Sequence, residues 1–395
     1  MFIKKNVCIF SFIGSENMGD EAIFCAVIKE VSPKVEHISI ISFNINNTKK
    51  ILENFKNKNF NIYNSSIVSS IKAILNSQIF VCGGGGIIQD QTSIFNIPFF
   101  FSRIIIAKLL RKKIFFYAIG VGPLQYKISR VLVKMIMNTS VGITVRDKQS
   151  KELLEKIGVD KANIKVTADP ATSLDDLLSE YDAKDLLIKN NLNLDKKIIV
   201  VCLRDYFSHY ALLPASIVRR LNFRTKKDKQ KHLSFITKIS QTLEYLQNKD
   251  YQILFLPFYN KVDNKIHKEV IDLIKVKKNI FLFSDVYSLQ QIYGVIKYAD
   301  VALCMRFHSL IFSFMNKIPF VAIDYSSKVY NFIDRVIEPR DNKDNFFINP
   351  KNFQAKELIA KIDYVSSINI NYDNKLDLLK KEESANFVYL YKKSK

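Results

Sequence analysis

Residues 301–323 read VALCMRFHSLIFSFMNKIPFVAI, and the order of elements in this stretch decides the fold. Residues 301–304 form a short apolar run, as a strand buried on both faces of a parallel sheet does. Met305-Arg306-Phe307-His308 interrupts it, helical spacing follows over 309–315, and a second apolar run occupies 319–323. Outward from this point the same strand–helix rhythm recurs. In the C-terminal half, strands are predicted at 197–203, 251–256 and 280–283, with helices at 232–249, 263–275 and 289–298. In the N-terminal half, strands are predicted at 6–13, 37–42, 78–82, 113–119 and 142–145. Helices alternate with them at 18–31, 97–110, 129–138 and 147–157. Such alternation defines a doubly wound parallel sheet. It breaks once, at the charged, turn-rich residues 169–196, which read as an interdomain linker.

The sequence therefore predicts an α/β protein of two Rossmann-like domains facing a cleft. The domains are set at residues 1–180 and 196–350, with a closing helix and a frayed basic tail over 351–395. A chain of 395 residues with ordinary globular composition suits two domains. Its five cysteines lie far apart and form no CxxC pair, which argues against a zinc ribbon or disulfide scaffold and for a reducing compartment. Residues 1–12 do not read as a signal peptide. The most apolar stretch, 97–110, is interrupted by Arg103 and Lys108 and does not span a bilayer. The expected location is cytoplasmic, with a peripheral place at the inner face of the cell membrane as the further option.

The net charge of +21 needs a partner or a bland cause. Nucleic acid is the first anion to consider. However, no helix-turn-helix, zinc finger or RNP-like aromatic motif appears, and the basic residues are dispersed, so no nucleic-acid partner is expected. The remaining causes are genome base composition, a phosphorylated substrate and an anionic membrane surface. The run RRLNFRTKKDKQKH at 219–232 reads either as a solvated loop or as a contact with anionic headgroups. IIIAKLLRKK at 104–113 reads as a membrane-surface segment or as a buried helix with a charged end.

Ligands of parallel sheets sit beyond the carboxyl ends of strands, so the residues just after each predicted strand carry the functional argument. Gly83 to Gly86 follow the third strand and let backbone N–H groups approach a ligand. The stretch matches neither GxGxxG nor GxxxxGK[ST], and a tight strand-to-helix turn explains it equally well. Gln89 and Asp90 follow and suit sugar hydroxyls. Asn17, Asp20 and Glu21 open the first helix; capping accounts for one or two of them, and Asp20 or Glu21 is a candidate base toward a substrate hydroxyl. In the second half, Arg306 and His308, read as an extended Arg-x-His, share one side of the chain. With the free N–H groups of the helix start they make an anion site, to which Arg204, after the first strand of that half, adds a second guanidinium unless it is spent on an interdomain salt bridge. No His/Cys/Asp spacing suggests a metal.

In order, these segments resemble the polysaccharide pyruvyl transferase family: GSENMGDEAI (14–23), GGGGIIQDQTS (83–93), AIGVGPL (118–124), VRDKQSKELLEKIGV (145–159), ADPA (168–171), CLR (202–204), LPFYNKVD (256–263) and MRFHSLIFSFMNKIPFVAIDYSSKV (305–329). The resemblance implies a glycosyltransferase-B-like pair of domains. It implies transfer of pyruvate from phosphoenolpyruvate to two hydroxyls of a sugar, giving a cyclic ketal and phosphate, with no cofactor beyond that co-substrate. By position, Arg204, Arg306, Phe307, His308 and Ser309 would hold phosphoenolpyruvate. Asn17, Asp20, Gly85, Gly86, Gln89 and Asp90 would face a sugar or lipid-linked oligosaccharide acceptor. The chain has Tyr325-Ser326-Ser327 where many members carry Tyr-Asp-x. A sugar-nucleotide glycosyltransferase and a non-catalytic glycan-binding relative are the alternatives.

Overall fold

A computed structural model describes residues 2–55, 59–91, 93–206, 225–338 and 341–395. The described residues divide into two compact units. The first contains residues 2–174 and 377–395, the second 175–206 and 225–376.

In the first unit the elements run β1 (Val7–Phe10), α1 (Met18–Val31), β2 (Ile38–Ser42), α2 (Ile45–Leu52), β3 (Phe60–Asn64), α3 (Ile67–Leu75), β4 (Ile79–Ile88) and α4 (Asn96–Leu109). They continue with β5 (Lys113–Val121), α5 (Lys127–Met137), β6 (Gly142–Val145), α6 (Lys148–Lys156) and β7 (Ile164–Val166). All pair in parallel in the order β3-β2-β1-β4-β5-β6-β7. The chain reverses direction across the sheet between β1 and β4, which is where a doubly wound sheet opens its ligand crevice. Two apolar cores lie on opposite faces of the sheet. One holds Phe10, Phe80, Cys82, Phe101 and Phe116; the other holds Ile9, Ile23, Val27, Phe115 and Tyr117.

The second unit opens with α7 (Asp175–Leu178) and α8 (Lys184–Lys189) and continues β8 (Ile198–Cys202), α9 (Lys226–Asn248), β9 (Gln252–Phe255), α10 (Asn260–Leu273), β10 (Ile280–Leu282) and α11 (Leu289–Lys297). Then come β11 (Val301–Cys304), α12 (Phe307–Met315), β12 (Phe320–Ile323), α13 (Ser327–Val336), β13 (Phe347–Ile348) and α14 (Ala355–Ser367), and α15 (Asp373–Ser394) begins here but belongs to the first unit from residue 377 on. The strand order β10-β9-β8-β11-β12-β13 repeats that of the first unit, with the reversal between β8 and β11.

Four sequence expectations change. The glycines 83–86 are not a strand-to-helix turn: they continue β4, paired with β5 at Gly83↔Tyr117 and Gly85↔Ile119. Gly84 and Gly85 have φ of 71° and 81°, and a Cβ on Gly84 would lie 1.8 Å from Cγ2 of Ile23. Their work is to let α1 press onto the strand. Residues 169–196 are not an open linker, because Leu174, Leu178, Ala183, Leu187 and Leu192 recur near helical spacing and are all buried. The basic run 219–232 is divided: residues 219–224 lie outside the described residues, whereas Thr225 caps α9 and residues 226–231 form its first turns. Finally, the tail is not frayed. α15 buries Phe387 and Leu390 in the first unit's core, and Asn386 accepts from the Thr167 hydroxyl at 2.8 Å.

Candidate functional site

In the second unit the loops after β8, β9, β11 and β12 converge on one set of groups. Arg306 is the N-cap residue of α12. Its Nε lies 2.9 and 3.1 Å from the two carboxylate oxygens of Asp263, and its Nη2 closes a bidentate pair with the same group. Asp263 is fully buried and also accepts the N–H groups of Phe258 (3.1 Å) and Tyr259 (2.9 Å). One carboxylate thus holds the β9–α10 loop and sets the guanidinium fork, a geometry suited to planar oxyanions. Behind it, His267 is buried and accepts the Leu203 N–H at 3.1 Å; burial brings its pKa down to about 4, so it stays neutral.

Arg204, two residues beyond β8, lies with its guanidinium carbon 4.7 Å from the ring centre of Tyr325. Its Nε is buried and has no hydrogen-bond partner among the described residues. Lys328 Nζ sits 5.2 Å from the same ring and 5.4 Å from that of Phe307, and Tyr206 meets Tyr325 edge-on at 6.2 Å. Burial alone would raise the Tyr325 phenol, but Lys328, Arg204 and Arg306 outweigh it and bring it to about 7. A phenol in that range exchanges protons at neutral pH. Asp324, beside it, has its carboxyl raised by burial.

His308 is half-buried in the first turn of α12, its ring 5.5 Å from that of Phe307. Because the helix starts at Phe307, the Arg-x-His segment is not extended, and alternation along a strand does not orient it. Arg306, Phe307 and His308 are instead gathered at a helix N-terminus, whose partial positive charge adds to the cations. Ser309 is fully buried, and its N–H and its hydroxyl both donate to the Arg306 carbonyl, at 3.0 and 2.6 Å.

The first unit's crevice has a different chemistry. Asn17 caps α1, accepting the Gly19 N–H, and its amide donates to Asp20 at 2.5 Å. Asp20 is half-buried, and a Cβ on Gly85 would approach its Oδ1 to 3.0 Å. Glu21 is buried and committed: its oxygens accept the N–H of Glu16 (3.0 Å), the N–H of Gly14 (3.4 Å) and the Asn47 amide (3.1 Å). Burial raises its pKa to about 7 despite the backbone donors. Asp90 is fully buried, and its two oxygens accept the N–H groups of Gln125 (2.8 Å) and Tyr126 (3.0 Å). A carboxylate shut away from solvent and bonded on both oxygens shapes the loop between β5 and α5. Gln89 is half-buried and Gly86 exposed beside them.

Several residues had no role at the level of sequence. Arg146 and Asp169 form a buried ion pair at 2.8 Å, and Asp169 also accepts the Ala171 N–H. The VRDK and ADPA segments are therefore the two halves of one contact. LPFYNKVD and MRFH pair through Asp263 and Arg306 in the same way, and CLR pairs with the Tyr-Ser-Ser-Lys segment through Arg204 and Tyr325. The only signal in the sequence was that these short segments all lie just after strands. Among the described residues no group of His, Cys, Asp and Glu is placed to hold a metal ion.

Two parallel doubly wound sheets with a cationic crevice define a class. The UDP-GlcNAc 2-epimerase of Methanocaldococcus jannaschii shares the fold with a TM-score of 0.62 and 14% identity, covering 98% of this chain and 99% of that one. The Neisseria meningitidis UDP-GlcNAc 2-epimerase bound to UDP-GlcNAc does so at 0.60 and 11%, with 98% and 99% covered. A glycosyltransferase from Rickettsia africae gives 0.56 and 16%, with 98% and 94% covered. The fold is glycosyltransferase-B-like. Within that class, the polysaccharide pyruvyl transferase family model matches residues 17–327, and the chain belongs to that family. A search of curated protein sequences found no match.

Proposed function

We propose that this protein transfers pyruvate from phosphoenolpyruvate to two hydroxyls of a sugar in a cell-surface polysaccharide or its lipid-linked precursor, forming a ketal and releasing phosphate. The observation that carries the reading is the convergence of Arg204, Arg306, Lys328 and Tyr325 beyond β8, β11 and β12, with His308 in the helix turn that Arg306 caps. Phosphoenolpyruvate brings about three negative charges near neutral pH, and planar guanidiniums grip its carboxylate and phosphate. The methylene carbon gains a proton, a sugar hydroxyl adds to the resulting oxocarbenium-like carbon and loses its proton, phosphate departs, and the second hydroxyl closes the ring with loss of another proton.

In this scheme Arg204 and the Asp263-held Arg306 stabilise charge on the departing phosphate, and His308 neutralises phosphate or delivers a proton. Tyr325 is a second proton source, because its hydroxyl changes state near neutral pH. The acceptor is assigned to the first unit, with Asn17, Asp20, Gly85, Gly86 and Gln89. Asp20 is its base rather than Glu21, whose oxygens are occupied by backbone N–H groups and Asn47.

The deciding experiment measures phosphate released from phosphoenolpyruvate across a panel of acceptor sugars, with NMR of the product for a ketal methyl group. Release of nucleoside diphosphate from a sugar nucleotide by the same preparation, with no phosphate from phosphoenolpyruvate, would replace this reading with glycosyl transfer.

A further inference from the structure

The first unit carries a surface that neither crevice uses. α3, α4 and α5 lie side by side, and their inward residues Ala73, Ile74, Phe100, Ile104 and Val133 share one core on a single face of the sheet. The outward sides of such helices are ordinarily polar. Here they are apolar: of the eighteen exposed large hydrophobic residues among those described, ten lie on these helices or at their caps. Val68 is 66% exposed, Leu109 76% and Met135 62%. The spacing is regular, with Ile105 and Leu109 one turn apart on α4 and Val131 and Met135 one turn apart on α5. Elsewhere the exposed hydrophobics are scattered, which is normal for a soluble surface; a contiguous set marks a contact.

The charges on this face have one sign. Between Asn54 and Arg146 the sequence contains a single acidic residue, Asp90, and it is buried. Lys72, Lys108, Arg111, Lys127, Arg130 and Lys134 are exposed on or beside the three helices. The partner must therefore be anionic and must accept apolar tips spread over three helices. A second copy of the chain would bring two cationic faces together, which like-charge repulsion opposes. No helix among the described residues is long and apolar enough to cross a membrane, so contact is made at a surface rather than by a span.

We infer that the α3–α4–α5 face docks on an anionic phospholipid bilayer. The apolar tips enter the headgroup boundary, and the Lys and Arg side chains around them meet lipid phosphate. The inference stands independently of the transfer chemistry, since it uses none of the crevice residues.

The test is co-sedimentation of the full chain with phosphatidylcholine vesicles, with and without phosphatidylglycerol. Binding is expected with phosphatidylglycerol only, and it should weaken as salt rises. Two double variants separate the contributions: Leu109→Glu with Met135→Glu removes the apolar tips, and Lys108→Glu with Arg111→Glu reverses the charge. Each should cut vesicle affinity by about tenfold or more while leaving melting temperature and circular dichroism unchanged, because all four side chains point outward. Four results would overturn the proposal: no wild-type binding, equal binding to neutral vesicles, unchanged binding by both variants, or a concentration-dependent dimer that the Leu109/Met135 variant dissolves.

Discussion

The two sheets have one topology and opposite chemistry at their reversal points. Beyond β1 and β4 stand a capping amide, carboxylates and glycines, with Glu21 and Asp90 spent on backbone N–H groups and α1 pressed against Gly84. Beyond β8 and β11 stand cations stacked on aromatic rings, Arg204 on Tyr325 and Lys328 on Tyr325 and Phe307. Strand order positions a crevice in both places, but the charge that crevice selects is set by a few side chains. The lesson is that topology supplies location, and local electrostatics supply the guest.

The sharpest way to break this contrast is to remove a cation from the second crevice. His308→Ala and Arg204→Ala should each lower kcat/KM for phosphoenolpyruvate by about 10²–10³, the range seen when one group stabilising developing charge is lost. Near-wild-type turnover by His308→Ala would remove it from the chemistry. A subtler change, Tyr325→Phe, keeps the ring under Arg204 and deletes only the hydroxyl. Its kcat should fall by about 10²-fold with little change in KM. As a proton donor Tyr325 must be protonated, so wild-type kcat/KM should decline above about pH 7, the range to which its cations bring it. That decline should vanish in the Phe variant; a pH profile identical to wild type would rule the hydroxyl out.

The first crevice should respond through stability more than through charge. Gly84→Ala places a Cβ against Ile23 at a backbone φ that side chains resist, and it should cost at least about 2 kcal/mol by chemical denaturation. An Ala variant as stable as wild type would mean that α1 does not press on β4. A further effect, read as a pH dependence, lies on α15. Burial, with Glu30 beside it, raises the Glu383 carboxyl to about 8. The unfolded chain loses that proton near pH 4.5, so folding free energy should drain away as pH rises from about 4.5 to 8. Glu383→Gln should flatten this slope and raise the melting temperature at pH 8. Glu21, raised to about 7, adds a slope of the same sign, and His267, lowered to about 4, one of the opposite sign between about pH 4 and 6.5.

Much of this was legible in the sequence for a local reason. Buried strands such as 301–304 and helix starts such as Met18 declare themselves through runs, periodicity and caps that depend on neighbouring residues. Elements with weaker contrast were missed. β3 is only partly buried and reads FNIYN, and α2, INNTKKIL, carries few apolar residues. The site was half legible. Arg204, Arg306 and His308 stood out because they follow strands, whereas Asp263 and Arg146 looked like ordinary charged residues inside helix starts.

By itself, then, the sequence determined the α/β class, the alternation of the main strands and helices in each half, the excess of positive charge and the family. Each of these is encoded in residues close together along the chain. Only the tertiary structure decided that Asp263 grips Arg306 across 43 positions, that Asp169 grips Arg146, that Asp90 and Ser309 are sealed inside, and that the last helix returns to the first core. Those outcomes depend on which distant segments share a buried environment. In such an environment an unpaired charge is costly, and the partner it finds fixes its role.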